Sequence, residues 1–359
     1  MDKFIPGLEL SQMYYEQIVK KIINDFFPHV KYSAGLIDYG SDVLGFDTPI
    51  SRDHQWGPRL SIFLSKKDQV KYSKQISKTL SKHLPHEFQG YPTNFSGKVS
   101  DGIQRLEKSE NGKVNHLIRI HTVDDFFQEH LGLDIKQNIS LKDWLLFPQQ
   151  RLVTIRKGKL FHDGLKIVRI KTKLQYYPKD IWLYIMACEW EKIGSEEAFV
   201  GRCGDADDEI GSRIIATRLI QSIMNLCFLM EKEYAPYSKL FGAAFSRLKS
   251  SKKFLPIFKK VFQAKNWKER EKNLSQAYEL LAKNHNELKI TKPLRTKVTD
   301  YFGRPYLVIF ANEFAKKISE KISDKEIKKL KLIGSIDQIT NVSNILENND
   351  TIKRLGRIY

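Results

Sequence analysis

The sequence predicts an α+β protein with a small sheet near the N-terminus and a helical bundle in its C-terminal part. The apolar run 34–37 and the alternating segment 59–64 have the character of neighbouring strands. From Pro178 onward the pattern becomes helical, and the segment 212–234 is almost entirely apolar, as in an interior helix of a bundle. These observations place the sheet first and the bundle second.

The elements between these landmarks follow from periodicity and from helix-ending residues. Apolar stripes predict helices over 11–27 and 68–84, and the segment 114–123 is expected to complete the sheet. A helix over 123–131 should end at Gly132. Two alternating runs within 152–174, joined at Asp163-Gly164, predict a hairpin. Further helices are predicted over 180–193, 212–234, 238–248, 254–263, 267–290 and 306–322.

The composition limits the class of protein. The 359 residues suggest two domains, and 41% hydrophobic residues are enough for a sizeable interior. The net charge of +18 would attract polyanions, which makes nucleic acid a candidate partner on charge alone. A diffuse excess of lysine, in a protein that has no polyanionic partner, explains the same net charge equally well.

Cysteines and apolar runs exclude several classes. Three widely spaced cysteines do not form a disulfide framework or a four-cysteine zinc site. The N-terminus lacks a signal-peptide pattern, and no apolar run approaches the roughly 20 residues needed to cross a bilayer. We therefore expect a cytoplasmic protein that does not associate with a membrane.

The segment with the clearest chemical pattern follows the first predicted strand. Gly40-Ser41 lies at a tight turn where a short helix could open with its N–H groups outward, and such a turn suits a phosphate. In an extended segment, residues 53 and 55 would project from one face. A pair of carboxylates placed in that way could hold a divalent cation against a triphosphate. Here Asp53 is acidic and Gln55 is not.

This pattern resembles the signature of the polymerase-beta-type nucleotidyltransferase superfamily, and GSDVLGFDTPISRDHQWGPRL at 40–60 is similar to the opening of a bacterial family of unknown function within it. Further similar blocks are SLKDWLLFPQQRL at 140–152, EEAFVGRCGDADDEIGSR at 196–213, LMEKEYAPYSKLFGAAF at 229–245, RPYLVIFANEFA at 304–315 and LIGSIDQITNVSNIL at 332–346. The resemblance implies a small mixed-sheet nucleotidyltransferase domain followed by a helical-bundle domain. We predict the boundaries as 1–140 for the first domain, 141–175 for linking strands with the hairpin, 176–322 for the helical domain and 323–359 for a C-terminal tail packed on the body.

The resemblance implies an NTP bound between the two domains, with Mg²⁺ or Mn²⁺ as the cofactor. Asp53 would be the metal ligand and a catalytic residue, while Gly40 and Ser41 would bind the triphosphate. Two departures weigh against ordinary metal chemistry. Gln55 brings no charge to a hard cation, and the strand expected to carry a third acid offers Arg119 and His121 instead.

Several other residues are candidates, each with a structural alternative. Asp42 and Asp47 are further acids close in sequence, and either could partly substitute for the missing carboxylate at the nucleotide site. Arg59 could contact a phosphate or pair with Asp53. Arg119 could neutralise triphosphate charge in place of a metal. Alternatively, this edge of the sheet became basic once selection for catalysis relaxed. His54 and Trp56 are expected to be core residues.

The helical region supplies the remaining candidates. Glu197 would be the general base that removes a proton from an acceptor hydroxyl, with Arg202 as a phosphate ligand. An ordinary solvated loop between helices is the competing interpretation of that acidic segment. Lys239, in YAPYSK, could line a nucleotide cleft, or its neighbours could simply pack around a proline turn.

Three functions remain open from the sequence. The first is transfer of NMP from an NTP to a hydroxyl of a small molecule, protein or RNA, the acceptor being unknown. The second is a catalytically degenerate nucleotidyltransferase that senses a nucleotide or binds a partner. The third is nucleic-acid binding through the basic surface, which rests on charge alone.

Overall fold

The structure, a computed structural model, describes residues 4–52, 54–97, 103–135 and 137–359. These residues form two compact units. The first unit comprises Met1–Ile139 with Arg151–Gln175, and the second comprises Ser140–Gln150 with Tyr176–Tyr359. The chain therefore crosses between the units more than once.

The helices and strands follow one another as a sheet-containing half and a largely helical half. The first half contains α1 (Gly7–Tyr14) continued by a π-helical turn (Tyr15–Val19), α2 (Lys20–Phe26), β1 (Tyr32–Leu36), β2 (Leu60–Leu64), α3 (Lys66–His83), β3 (Glu87–Phe88), β4 (Tyr91–Pro92), β5 (Ile118–Thr122), α4 (Val123–Leu131), α5 (Leu141–Leu146), α6 (Gln149–Lys157), β6 (Lys159–Asp163) and α7 (Val168–Lys173). The second half contains α8 (Lys179–Glu196), α9 (Phe199–Asp205), α10 (Glu209–Met230), α11 (Ser238–Phe245), α12 (Ser251–Gln263), α13 (Trp267–Glu287), β7 (Thr299–Tyr301), β8 (Arg304–Val308), α14 (Ala311–Ser319), α15 (Lys325–Lys329), α16 (Ile336–Ile339), α17 (Ser343–Leu346), α18 (Asn349–Leu355) and a 3₁₀ turn (Gly356–Ile358).

The main sheet of the first unit is mixed, with the strand order β5-β2-β1-β6. β1 runs antiparallel to both β2 and β6, so that Ala34 lies opposite Ile62 on one side and His162 on the other. β2 runs parallel to β5, with Ser61 opposite Arg119. β1 and β2 are buried along their whole length, because both lie inside the sheet and both faces are covered. The α+β class and the mixed sheet predicted from the sequence are confirmed.

The second unit is organised around α8 and α10, which are largely buried. Trp190 of α8 stacks on Phe314 of α14, with ring centroids 4.2 Å apart. His285, near the C-terminal end of α13, is fully buried and lies edge-on to both rings. Its Nε2 lies 3.1 Å from Thr291 Oγ1, whereas its Nδ1 has no hydrogen-bond partner among the described residues.

One described helix, α10, passes a length-and-composition test for a membrane span. Half of its most apolar 18-residue window is buried inside the protein. A single helix of this kind is weak evidence for a membrane span, because buried core helices pass the same test.

Three sequence-based predictions of local structure are wrong. The segment predicted as a hairpin over 152–174 forms α6, β6 and α7, so only Lys159–Asp163 pairs with β1. Four consecutive positions, 152–155, are buried. A helix that is surrounded by other elements can bury four consecutive residues, whereas a strand with one solvent-exposed face buries only every second residue. No helix opens at Ser41, where residues 41–45 form a turn. The predicted helix over 306–322 begins only at Ala311, because Arg304–Val308 pairs with Thr299–Tyr301.

His285 should make the second unit less stable at acidic pH. Burial lowers its pKa to about 4, below its ordinary value of 6.5. Between these two values the unfolded chain binds a proton that the folded chain does not, so the free energy of unfolding falls with decreasing pH, by about 3 kcal/mol in total. In the variant His285→Gln this contribution should be absent.

The measurement is denaturant unfolding of both proteins from pH 7.5 to 4, followed by tryptophan fluorescence. Four of the five tryptophans, at 144, 182, 190 and 267, belong to the second unit. Carboxyl groups that titrate in the same pH range contribute equally to both proteins. The difference between the unfolding free energies of wild type and variant therefore reports His285 alone. A difference that does not change with pH would contradict the assignment.

Candidate nucleotide site

Strand register brings several charged residues to one end of the sheet. β1 ends where its antiparallel neighbour β2 begins, and β5 begins at the same end because it runs parallel to β2. Asp38 and Asp42 follow β1, Arg59 immediately precedes β2, and Arg119 is the second residue of β5. Two carboxylates and two guanidinium groups therefore meet there.

Arg59 and Asp42 form a buried ion pair. One guanidinium nitrogen, Arg59 Nη2, donates to both carboxylate oxygens of Asp42, at 2.8 and 3.0 Å, and to the carbonyl oxygen of Tyr39, at 2.8 Å. The side chains are only 5% and 2% exposed, respectively. Asp42 also accepts from the N–H of Val43 at 2.9 Å. A buried charge needs such a partner, so this pair anchors the turn after β1.

Gly40 fits above this pair because it has no side chain. Its φ of +127° lies in a region that favours glycine. A Cβ atom at this position would lie 2.1 Å from Asp42 Oδ1 and 2.5 Å from Arg59 Nη2. Ser41 is half-buried, and its carbonyl oxygen accepts from the N–H of Phe46 at 2.8 Å. The Gly-Ser pair thus forms a tight turn rather than a helix start.

Arg119 is the accessible cation of the group. Its Nη1 donates to Asp38 Oδ2 at 2.9 Å, its Nη2 donates to the hydroxyl of Tyr39, and 35% of the side chain is exposed. The Tyr39 ring contacts both guanidinium groups, with Arg119 Cζ 4.5 Å and Arg59 Cζ 5.1 Å from its centroid. Asp38 and Tyr39 therefore hold Arg119 in one orientation while leaving part of it in solvent.

Histidines border this group on the side of α4. His130 Nδ1 lies 3.7 Å from Asp38 Oδ1, and its Nε2 lies 3.2 Å from Thr154 Oγ1. Burial lowers the pKa of His130 and of His121, which favours their neutral forms. Neither Asp38 nor His130 is among the site residues predicted from the sequence. The available signal for Asp38 was its position directly after the apolar run 34–37.

Gln55, the second member of the predicted Asp53–Gln55 pair, does not lie in an extended segment. Asp53 lies outside the described residues. Gln55 adopts a φ of +48°, and its N–H donates to the carbonyl oxygen of Gln104 at 3.0 Å, so the strand starts only at Leu60. The prediction that 55 projects from a strand face is therefore wrong. Trp56 is buried as predicted, whereas His54 is exposed, contrary to the prediction.

Asp47 accepts two hydrogen bonds that hold local structure together. Its Oδ2 accepts from the Gly7 N–H at 2.7 Å and from Trp56 Nε1 at 2.9 Å. These bonds tie the start of α1 to the segment before β2. One carboxylate oxygen of Asp47 therefore holds the N-terminal helix in place.

The described residues of the site do not fit a divalent cation. The Asp42 oxygens are taken by Arg59 and Val43, and the Asp38 oxygens by Arg119 and the Tyr39 N–H. Across residues 4–52, 54–97, 103–135 and 137–359, no group of three His, Cys, Asp or Glu side chains is placed to hold a metal. We derive no chemical step through Mg²⁺ or Mn²⁺.

The remaining predicted site residues belong to the second unit. Glu197 is 3% exposed, and its two oxygens accept from the N–H groups of Ile309, at 2.7 Å, and Ala311, at 2.9 Å. Burial raises its pKa to about 7, against the lowering effect of these backbone bonds. These bonds order the start of α14 and keep the carboxylate buried, which is the arrangement of a structural residue; the catalytic role of Glu197 stays a prediction. Arg202 is exposed beside the Phe199 ring, and Lys239 is exposed in the first turn of α11.

The second unit also contains a polar groove of about 450 Å³ between α8, α10 and the segment 332–341. Glu196 and Arg218 pair across it at 2.6 Å. Gln338 donates to the buried Glu189 at 2.6 Å. These contacts link α8 to α10 and to the C-terminal segment.

Comparisons with known proteins give two matches. A family model described as "Domain of unknown function (DUF4037)" matches residues 144–241. The crystal structure of a nucleotidyltransferase-like protein from Exiguobacterium sibiricum 255-15 is similar at a TM-score of 0.35 and 7% identity, covering 80% of this chain and 82% of that one. No curated protein matches the sequence. The matched family, like the one that the sequence resembles, is of unknown function.

Gly40→Ala should destabilise the first unit. The added methyl group would meet the Asp42–Arg59 pair at a φ that L-residues rarely adopt, at a cost of about 2 kcal/mol. Amide hydrogen exchange of peptides that cover β1 and β2 should report faster opening. Gly97→Ala is the matched control, because a Cβ there meets nothing within 4 Å. Equal effects of the two substitutions would contradict this role of Gly40.

Proposed function

We propose that the first unit is a nucleotide-binding module that holds the phosphates of an NTP against the turn at Gly40-Ser41. The observation that carries the proposal is Arg119, which is oriented by Asp38 and Tyr39 beside this turn with a third of its side chain in solvent. A guanidinium group in a fixed orientation suits bidentate contact with a phosphate.

The two arginines then have different tasks. Arg59 is buried, and Asp42 neutralises its charge, so Arg59 stabilises the turn and is not available to a phosphate. Arg119 is the cation that a phosphate can reach. Its bond to Asp38 is partly exposed and therefore weaker, so a highly charged triphosphate can compete for the guanidinium group.

This proposal places charge neutralisation on the protein. Because Arg119 supplies the positive charge in this proposal, binding should persist when Mg²⁺ is removed. Removing the metal also leaves the triphosphate more negative, which strengthens its attraction to Arg119. The affinity should change by less than about threefold between Mg²⁺ and EDTA, since an essential metal would contribute far more.

Arg119→Gln should weaken NTP binding about tenfold, the loss of one charge-assisted contact. Isothermal titration calorimetry with each of the four NTPs, with and without Mg²⁺, measures this change. Arg169→Gln is the matched control, because Arg169 is an exposed arginine of α7 in the same unit. Equal affinities for wild type and Arg119→Gln would remove the proposed role of Arg119.

The second candidate function is transfer of NMP to an acceptor hydroxyl. It is favoured by the carboxylate of Asp38 at the strand end and by the spacing of Asp53 from Gly40-Ser41 in the sequence. In this reaction the hydroxyl oxygen bonds to the α-phosphorus, pyrophosphate leaves, and the hydroxyl loses its proton. The acceptor class remains a small molecule, a protein or an RNA end.

Asp53→Ala should abolish transfer while leaving the fold intact. The test incubates the protein with α-³²P-labelled NTPs, with Mg²⁺ or Mn²⁺ and with a cell extract as the source of acceptors. Labelled product formed by wild type and lost in Asp53→Ala supports transfer. If wild type binds NTP without forming product and Gln55→Asp then forms it, the binding module without transfer is supported instead.

A further inference from the structure

One segment of the second unit is strongly basic. Residues 234–268 contain nine Lys and Arg residues and no Asp or Glu. This tenth of the chain therefore carries half of its net charge of +18. Other basic stretches, such as 66–82 and 151–173, each include an aspartate, whereas 234–268 includes no acid at all.

The structure places most of this charge around α12. This helix buries its apolar side, with Phe254, Phe258 and Val261 in the core of the second unit. Its lysines lie on the exposed side, at 252, 253, 259 and 260. Lys252 and Lys259, like Lys253 and Lys260, are seven residues apart, which is two helical turns or about 10.5 Å. The result is two parallel rows of ammonium groups.

Neighbouring acids do not neutralise these rows. Glu231 accepts from the backbone N–H groups of Lys249 and Ser250, at 2.8 and 2.9 Å. Glu269 accepts from the backbone N–H of Lys265 at 2.9 Å. In the described part of the chain, no ion pair involves the four lysines of α12. Their charge is therefore available to an external anion.

An aromatic side chain lies beside the lysines. Phe262 is 53% exposed at the C-terminal end of α12, between Lys260 and Lys265 in sequence. Burying this ring against the protein would be favourable, so its exposure next to a basic surface suits a ligand that offers both phosphates and flat apolar faces. Single-stranded nucleic acid combines the two, because its unpaired bases stack on aromatic rings.

We propose that the α12 basic surface, formed by Lys252, Lys253, Lys259, Lys260, Phe262 and Lys265, binds single-stranded nucleic acid. The lysines contact the sugar–phosphate backbone, and Phe262 stacks on a base. An anionic membrane is the less suitable partner, because the apolar side of α12 is already buried in the protein and cannot insert among lipid chains. The surface belongs to the second unit and does not depend on the nucleotide site of the first.

The test measures fluorescence anisotropy of labelled 20-nucleotide RNA and DNA, single- and double-stranded, with the full chain between 50 and 300 mM NaCl. The quadruple variant K252Q/K253Q/K259Q/K260Q should bind single strands at least tenfold more weakly at 100 mM salt. For this variant, the slope of the logarithm of the binding constant against the logarithm of the NaCl concentration should be shallower by about 3, since each lost phosphate contact on a single strand contributes about 0.7.

The matched control replaces four exposed lysines of α3 with the same loss of charge, as K67Q/K74Q/K78Q/K82Q. It should bind within about threefold of wild type, because non-specific attraction by net charge alone is screened by salt. Circular dichroism and tryptophan fluorescence verify the fold of each variant. Equal losses in the two quadruple variants would overturn the proposal, because binding would then follow net charge and not this surface.

Phe262→Ala separates stacking from charge. It should weaken single-strand binding about tenfold without changing the salt slope, and it should leave duplex binding unchanged. Wild-type affinity in this variant, or preference for duplex over single strands, would overturn the stacking assignment. Binding of wild type to phosphatidylserine vesicles without binding to either nucleic acid would overturn the proposal as a whole.

Discussion

The first unit depends on keeping one buried arginine neutralised. Arg59 enters the interior directly before β2, and a guanidinium group there requires a carboxylate and further acceptors. Asp42 and the carbonyl of Tyr39 meet that need only if the chain after β1 turns back tightly on itself. Gly40 permits this turn because any side chain would collide with the pair. The shape of the proposed phosphate seat is thus a consequence of satisfying a buried charge.

The same constraint separates supporting residues from available ones. Glu197, like Asp42, is a buried carboxylate whose oxygens are occupied, in its case by the backbone that precedes α14. Arg119 differs because its charge is balanced by Asp38 at the edge of the interior, with part of the side chain in water. Partial exposure together with a fixed orientation is what qualifies a charged group for ligand binding. By this criterion Arg119 is a better candidate for phosphate binding than the buried Arg59.

Charge in the second unit follows a different pattern. In the part of the chain that the structure describes, the four lysines of α12 form no ion pair. The helix is held by its apolar side, so its packing does not depend on their charge. Such a surface adds repulsion to the folded state. The combination of four lysines without ion pairs and an exposed Phe262 on the same helix is the reason to assign this surface a polyanionic partner instead of general solubility.

The sequence by itself determined the elements whose signals are local. The strands at 34–37 and 59–64, the helix ended by Gly132 and the buried helix within 209–230 all follow from periodicity and capping, since each needs only neighbouring residues. Only the tertiary structure decided that 152–157 is helical, that 304–308 is a strand, and that Arg119 meets Asp38 across 81 positions. Strand register and burial set those outcomes, and both depend on segments far away in the sequence.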